Sequence, residues 1–340
     1  MLRRLKALFL ASASGLGVTL GLVFAMSLMV FYFDQNSYGE GRAFVSAGQF
    51  SVTITMLMGI PYMFGAVISL LSDPDGDKPF SHSLSTTFYV YLGLMAIGFL
   101  VLREAVICMV IAAPVLLPFV AIGIASMRYF LARNMKRGSV AQGSFLLLPL
   151  ALLTFEASVS PTPERVTVQR EIVIDAPPEV VWPLLLSMPD INEEEGHWTF
   201  TQSVMGVPRP VSAEVKGEGV GAVRAAYWQN QVYFEEHIIE WDAGRAMRWS
   251  FAFPDDSVAR YTDAKIGPDT IHMRIFDGGY RIEPMHDGRT RLILDTRYDL
   301  SNHLSIYAKL WGEVLLGDIL GNVLVIVKDR AEASKSSPLQ

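Results

Sequence analysis

Glu236 lies in the run Phe234-Glu-Glu-His-Ile-Ile-Glu-Trp241, where polar and apolar residues alternate, and it is followed directly by His237. A carboxylate with a neighbouring imidazole or a second carboxylate is the equipment of general acid–base chemistry. Asp318 and Asn322 are the other polar groups of interest. They interrupt an apolar seam of Tyr307, Leu310, Trp311, Val314, Leu315, Gly321 and Val325 that follows helical spacing. They could line the mouth of a cavity, or cap and solvate the flank of a helix. Other chemistry is absent from the pattern. The six histidines include no pair at i,i+4 spacing, so no zinc site is expected. No serine or cysteine carries a triad signature. Gly217-Glu-Gly-Val-Gly221 is followed by a strand pattern where a phosphate loop needs a helix N-terminus, so it reads as a turn and no cofactor is expected.

The elements that must position these groups are strands and two helices. Val166 to Asp175 alternates as a strand, and Ala176-Pro-Pro-Glu179 opens a short helix through Val180, Val181, Trp182 and Leu185, with proline where no intrahelical N–H is needed. An irregular stretch from Pro189 to Pro210 carries the acid run Glu193-Glu194-Glu195, read as a solvated loop. Six further strands follow, Val211 to Lys216, Gly221 to Trp228, Gln231 to Trp241, Ala246 to Phe253, Gly279 to Met285 and Arg289 to Leu300, then one long helix from His303 to Ala331.

Turn lengths set which side chains share a face. A two-residue turn at Gln229-Asn230 pairs Tyr227 with Val232, Ala225 with Phe234 and Val223 with Glu236. The loop Asp242 to Arg245 puts Glu236 opposite Phe251 and Ile238 opposite Trp249. A three-residue loop at His286-Asp-Gly288 pairs Ile282 with Leu292 and Tyr280 with Leu294. Tyr227, Phe234, Trp249, Phe251 and Tyr280 then fall on one almost wholly apolar face, which is the inner one, with Glu236 as its exception. A carboxylate there has to be paired, reached by water or raised in pKa. It is an anchor or acid–base group in a cavity, half of a structural ion pair, or a residue turned outward by an error of register. His237 falls on the opposite face, as a surface or structural histidine.

Before residue 160 the chain has a different character. Apolar runs at 7–33, 47–71, 86–102 and 105–127, and a shorter one at 144–159 with Pro149 and Glu156, predict about five transmembrane helices in residues 1–160, an all-α bundle. The first run follows Arg3, Arg4 and Lys6 and is too long for a signal-peptide core, which suits an uncleaved anchor. Arg103 and Glu104 mark a turn between two spans. Basic residues at the N-terminus and at Arg128, Arg133, Lys136 and Arg137 predict that both segments are cytoplasmic. If 144–159 makes a fifth crossing, the C-terminal domain lies outside the cytoplasm, in the periplasm of a bacterial inner membrane; if it only lies in the interface, the domain is cytoplasmic. Ser158-Val-Ser-Pro-Thr-Pro-Glu164 is a short, stiff tether, the soluble domain spans 165–331, and 332–340 reads as a disordered tail.

From residue 165 to 330 there are 17 basic and 25 acidic residues, an acidic balance that argues against nucleic acid and against adhesion to anionic headgroups. The only cysteine, Cys108, lies in an apolar run, so the soluble part has neither disulfide nor thiolate metal ligand.

Three segments carry a family resemblance: Val173-Ile-Asp-Ala-Pro-Pro-Glu-Val-Val-Trp182, Phe234-Glu-Glu-His-Ile-Ile-Glu-Trp241, and Tyr307-Ala-Lys-Leu-Trp311. With the element order, they make the second half resemble the SRPBCC superfamily of START-like, polyketide cyclase/dehydrase and lipid-transport domains. The resemblance implies an α+β helix-grip fold, an antiparallel curved sheet around a long C-terminal helix, with an apolar ligand between them. The registers and helical spacing above put Tyr227, Phe234, Glu236, Trp249, Phe251, Tyr280, Asp318 and Asn322 forward as residues of that cavity. Three readings remain open: a membrane-anchored binding or carrier domain for a lipid, isoprenoid or other apolar molecule; a cyclase or hydrolase using Glu236 with Asp318 or His237; and a ligand-sensing or assembly subunit.

Overall fold

A computed structural model describes residues 54–97, 106–134, 161–255, 257–258, 273–301 and 303–336, with isolated positions between 149 and 159. The chain divides into two compact units, one formed by Met1–Glu104 and Cys108–Pro161, the other centred on Thr162–Gln340.

In the first unit a π-helical turn, Thr55–Gly59, leads into α1 (Ile60–Ser72), followed by α2 (Phe80–Ile97) and α3 (Val106–Asn134). The Glu156 carboxylate accepts from the backbone N–H groups of Ile54 and Thr55, at 2.5 and 2.9 Å, and so satisfies donors that have no partner inside the helix. At the other end of α1, buried Asp73 accepts from the N–H groups of Asp77 and Lys78 and from Arg128 at 2.8 Å, tying the α1–α2 loop to α3. Glycines bring α1 and α3 into backbone contact: a Cβ on Gly65 would strike the Val120 carbonyl, and one on Gly123 would strike the Tyr62 carbonyl. Close approach through small residues is how helices associate where no hydrophobic effect drives them together.

The expected five-helix bundle is not supported by the described residues. Among them only Ile111–Ala132 and Ser305–Ser334 are long and apolar enough to cross a membrane, and the second closes the other unit; Leu57–Ser72 is apolar but shorter. Of the expected third span, 86–102, residues 86–97 lie in the helix that starts at Phe80, and 98–102 lie outside the described residues. The run 7–33 and the Arg103-Glu104 turn lie outside the described residues, as do half of 144–159 and residues 337–340 of the tail.

The second unit contains β1 (Glu164–Ile174), α4 (Pro178–Leu186), β2 (Ser187–Met188), α5 (Phe200–Ser203), β3 (Pro210–Lys216), β4 (Val223–Trp228), β5 (Val232–Asp242), β6 (Ala246–Ala252), β7 (Met273–Pro284), β8 (Thr290–Leu300) and α6 (Ser305–Ser336). The strands form one antiparallel sheet in the order β1-β8-β7-β6-β5-β4-β3-β2, curled around α6 as the helix-grip expectation requires. α4 begins with Pro178 in its first turn and buries Val181 and Leu185, while Trp182 meets Trp241 edge-on at 5.4 Å.

α6 lies along β1 in the same direction. Lys309 binds Glu164 at 2.8 Å, Arg170 binds Glu313 at 2.6 Å, and the Asp175 N–H donates to Glu332 at 2.8 Å. Two glycines permit this approach: a Cβ on Gly312 would collide with the Tyr298 hydroxyl, and one on Gly317 with the Arg170 guanidinium. Between sheet and helix the core holds Val168, Ile238, Met247, Leu292, Tyr298, Leu324 and Val327, all buried. On the convex face Arg248 bridges Asp277 and Asp295 at 2.7 and 2.8 Å, and Arg297 reaches Asp277 at 2.5 Å, so these buried carboxylates are paired.

Two features of the strands differ from expectation. β7 begins at Met273, since Gly278-Gly279 is strand interior and not a strand start; a Cβ on Gly278 would stand 3.1 Å from the Trp249 ring, so the glycine makes room for that indole. The β4–β5 turn holds three residues, Gln229–Gln231, with Asn230 and Gln231 both left-handed at φ 61° and 63°.

Candidate functional site

That extra turn residue turns β4 over. Arg224, not Val223, stands opposite Glu236; Ala226 faces Phe234 and Trp228 faces Val232. Tyr227 is therefore corrected to the outer face, where it is 46% exposed and packs on Tyr233, and Val223 and Ala225 leave the inner face with it. The other two registers agree with the sequence reading: Glu236 pairs with Phe251, Ile238 with Trp249, Tyr280 with Leu294 and Ile282 with Leu292.

The flip supplies the partner that Glu236 needs. The Arg224 Nη1 donates to the Glu236 carboxylate, and both side chains are buried. Burial pushes Glu236 up from the ordinary carboxylate range, and the adjacent Arg224 charge opposes that shift. The Tyr280 hydroxyl interacts with the same guanidinium and is pushed up to about 12, chiefly by burial, so it stays protonated. Trp249 packs on Tyr280 at 5.2 Å. Among the described residues, the buried Arg224 Nε and Trp249 Nε1 have no hydrogen-bond partner. Arg224 is the residue sequence reasoning missed. Its signal was a lone basic residue inside the apolar run Val223-Arg-Ala-Ala-Tyr-Trp228, readable only once the turn length is known.

Beyond this polar cluster the inner face becomes a band of rings. Phe234 meets Trp228 at 5.7 Å, Phe251 at 5.9 Å and Phe253 at 6.2 Å, and Phe251 stacks on Phe253 at 6.3 Å. All four are only partly buried, unlike Trp249 and Tyr280 behind them. The arrangement can hold an apolar or ring-bearing molecule against the band, with the Arg224, Glu236 and Tyr280 cluster at its inner limit.

Asp318 and Asn322 are engaged elsewhere. Asp318 accepts from the Thr201 N–H at 2.9 Å and its hydroxyl at 3.0 Å. Buried Asn322 accepts from the His197 N–H at 2.8 Å and donates to Gln202 at 2.7 Å. They staple α5 and its preceding loop to α6, and Gly196, at φ 81°, leaves room for the Asn322 amide. His237 is outward and pairs with Glu235 at 2.8 Å, away from Glu236. The acid run is not wholly solvated: Arg330 clasps Glu195 at 2.6 Å and holds its carboxyl down to about 2. A separate cavity of about 270 Å³ lies there, with Asn192, Glu195, Arg209, Gln229 and Ile326 in its wall. Among the described residues no group of three acidic, histidine or cysteine side chains is placed to hold a metal.

Residues 165–315 match the family described as Polyketide cyclase / dehydrase and lipid transport, so a domain of that type occupies the second unit. No curated protein matches the chain. Among solved structures, the chain is similar to the Zhui aromatase/cyclase of a Streptomyces species, at 15% identity over 51% of this chain and 96% of that one, with a TM-score of 0.32. Truncated norcoclaurine synthase from Thalictrum flavum is similar at 11% identity over 53% and 98%, TM-score 0.32. An uncharacterized protein from Rhizobium leguminosarum is similar at 13% identity over 49% and 97%, TM-score 0.30.

Proposed function

We propose that the second unit binds an apolar, ring-bearing molecule or lipid on the inner face of its sheet, and that the N-terminal half anchors this binding domain in a membrane. The observation that carries the binding reading is the band Trp228, Phe234, Phe251 and Phe253, left half-covered on the concave side of the sheet where a well-packed core would bury it. The family description, which includes lipid transport, agrees with it. A carrier suits the site better than a cyclase or hydrolase. The acid–base partners expected for Glu236 are engaged elsewhere: Asp318 accepts from Thr201, and His237 faces outward against Glu235.

Three features support anchoring. The helix Ile111–Ala132 is long and apolar enough to span, Gly65 and Gly123 pack α1 on α3 backbone to backbone, and Phe88, Leu92, Leu117 and Ile122 are exposed among the described residues. The Asp73–Arg128 pair joins the α1–α2 loop to the end of α3, as a two-span excursion from one side of the bilayer requires. The basic segments at both ends of the apolar region favour a cytoplasmic N-terminus and a periplasmic binding domain in a bacterial inner membrane.

The test is purification of the full chain in mild detergent, followed by native mass spectrometry and identification of what co-purifies. An apolar molecule retained by the wild type and lost from a Phe234→Ala, Phe251→Ala variant supports the binding reading. Equal retention by both, or none by either, sinks it. Alkaline phosphatase fused after residue 336 reports the side: activity there places the domain in the periplasm, and inactivity puts it in the cytoplasm.

A further inference from the structure

The first half of α6 carries an apolar stripe that none of the described residues of its unit covers. Ile306, Leu310 and Val314, spaced at i, i+4 and i+8, are 75%, 62% and 42% exposed. The rest of the same turns is occupied: Lys309 and Glu313 face β1, Gly312 meets Tyr298, and Trp311 packs on Phe200 at 6.5 Å.

Lys309 binds Glu164, the first residue of β1, so the stripe lies at the end of the unit where the chain enters from the N-terminal half. Only four residues, 160–163, separate Glu164 from the end of the apolar run at Val159. Fully extended, they span at most about 14 Å. The aromatic band runs toward this same end. The registers lead from Trp249 and Ser250 on β6 to Gly278 and Asp277 on β7, then on to Met273 opposite Leu300 and finally to Glu164 on β1; Phe251 and Phe253 lie on the Leu300 and Glu164 side of that line.

We propose that Ile306, Leu310 and Val314 rest on the lipid bilayer and bring the near end of the aromatic band against it, so that an apolar ligand passes between band and bilayer without crossing water. The proposal rests on the anchoring reading above. It does not require charge attraction: the unit is acidic, with 25 acidic against 17 basic residues from 165 to 330, so contact is made through apolar side chains and persists on neutral lipid and in high salt. Three side chains hold a free domain on a membrane weakly, whereas a short tether supplies an effective concentration in the millimolar range.

The experiment uses the full chain in phosphatidylcholine vesicles, with Cys108→Ser to remove the only cysteine and a fluorophore on Leu310→Cys or, in a second protein, on Val220→Cys. Val220 is equally exposed and lies beside the β3–β4 turn, at the opposite end of the sheet. A nitroxide placed high on the lipid acyl chain should quench the Leu310 label several-fold more than the Val220 label, in low and high salt alike. Ile306→Glu with Val314→Glu should remove that difference while circular dichroism is unchanged. Release of the chain by alkaline carbonate would sink the anchoring reading, and docking with it. Retention in the membrane with the Leu310 label unquenched would overturn docking alone. So would energy transfer between Leu310 labels that disappears on dilution into excess lipid, since a second copy would then be the cover.

Discussion

The Arg224 guanidinium and the Glu236 carboxylate face each other across β4 and β5, buried together beneath the aromatic band, with Tyr280 against the same guanidinium. Removing one partner from such a pair leaves an uncompensated buried charge, which costs about 3–5 kcal/mol, whereas replacing both with apolar residues of similar volume is close to neutral. Arg224→Met alone should therefore lower the midpoint of urea unfolding, followed by tryptophan fluorescence, and Arg224→Met with Glu236→Leu should recover most of the loss. If the single and double variants unfold alike, the pair does not carry the coupling its geometry implies.

Gly312 and Tyr298 offer a second pair. Glycine to alanine inside a helix is ordinarily stabilising by about 1 kcal/mol. At Gly312 the new methyl would strike the Tyr298 hydroxyl, so Gly312→Ala should instead destabilise by about 1–3 kcal/mol. The buried hydroxyl has no hydrogen-bond partner among the described residues, so Tyr298→Phe alone should be near neutral, and the double variant more stable than Gly312→Ala alone. Thermal unfolding of the four proteins closes the cycle.

Acid sensitivity should concentrate at Glu195. Its pKa is held at about 2 in the folded protein by Arg330, which also donates to the Pro189 and Asp190 carbonyls. Since the folded value lies below that of an unfolded glutamate, the stabilisation is complete above about pH 4.5 and fades as pH falls toward 2. Glu195→Gln should lower stability by about 1 kcal/mol at neutral pH and flatten the curve in that window. A parallel offset at every pH would contradict the assignment.

In the N-terminal half, Gly65→Leu or Gly123→Leu should separate α1 from α3, and Gly93→Leu, where an added Cβ meets nothing within 4 Å, should be tolerated. Melting of the detergent-purified protein and its yield in membranes should fall for the first two variants only.

The sequence alone determined the elements. Alternation in Phe234 to Trp241 and in Arg289 to Leu300, proline in the first turn of α4, and helical spacing from Tyr307 to Val325 are local signals, and each element stands where they put it. Facing within the sheet was legible wherever turn length was: the loops at 242–245 and 286–288 gave Glu236 opposite Phe251 and Tyr280 opposite Leu294. At Gln229–Gln231 it was not, because two consecutive left-handed residues that are not glycine add one position to the turn, and side chains in a strand alternate with a period of two. That single residue moved Tyr227 outward and Arg224 inward. Asp318 and Asn322 were visible as polar breaks in the seam, but what they bind, the backbone at His197 and Thr201, comes from a segment more than 100 residues away and is set by how that segment folds back over α6. Only the tertiary structure could decide such partners, since a hydrogen bond is fixed by where two chain segments meet and not by the composition of either.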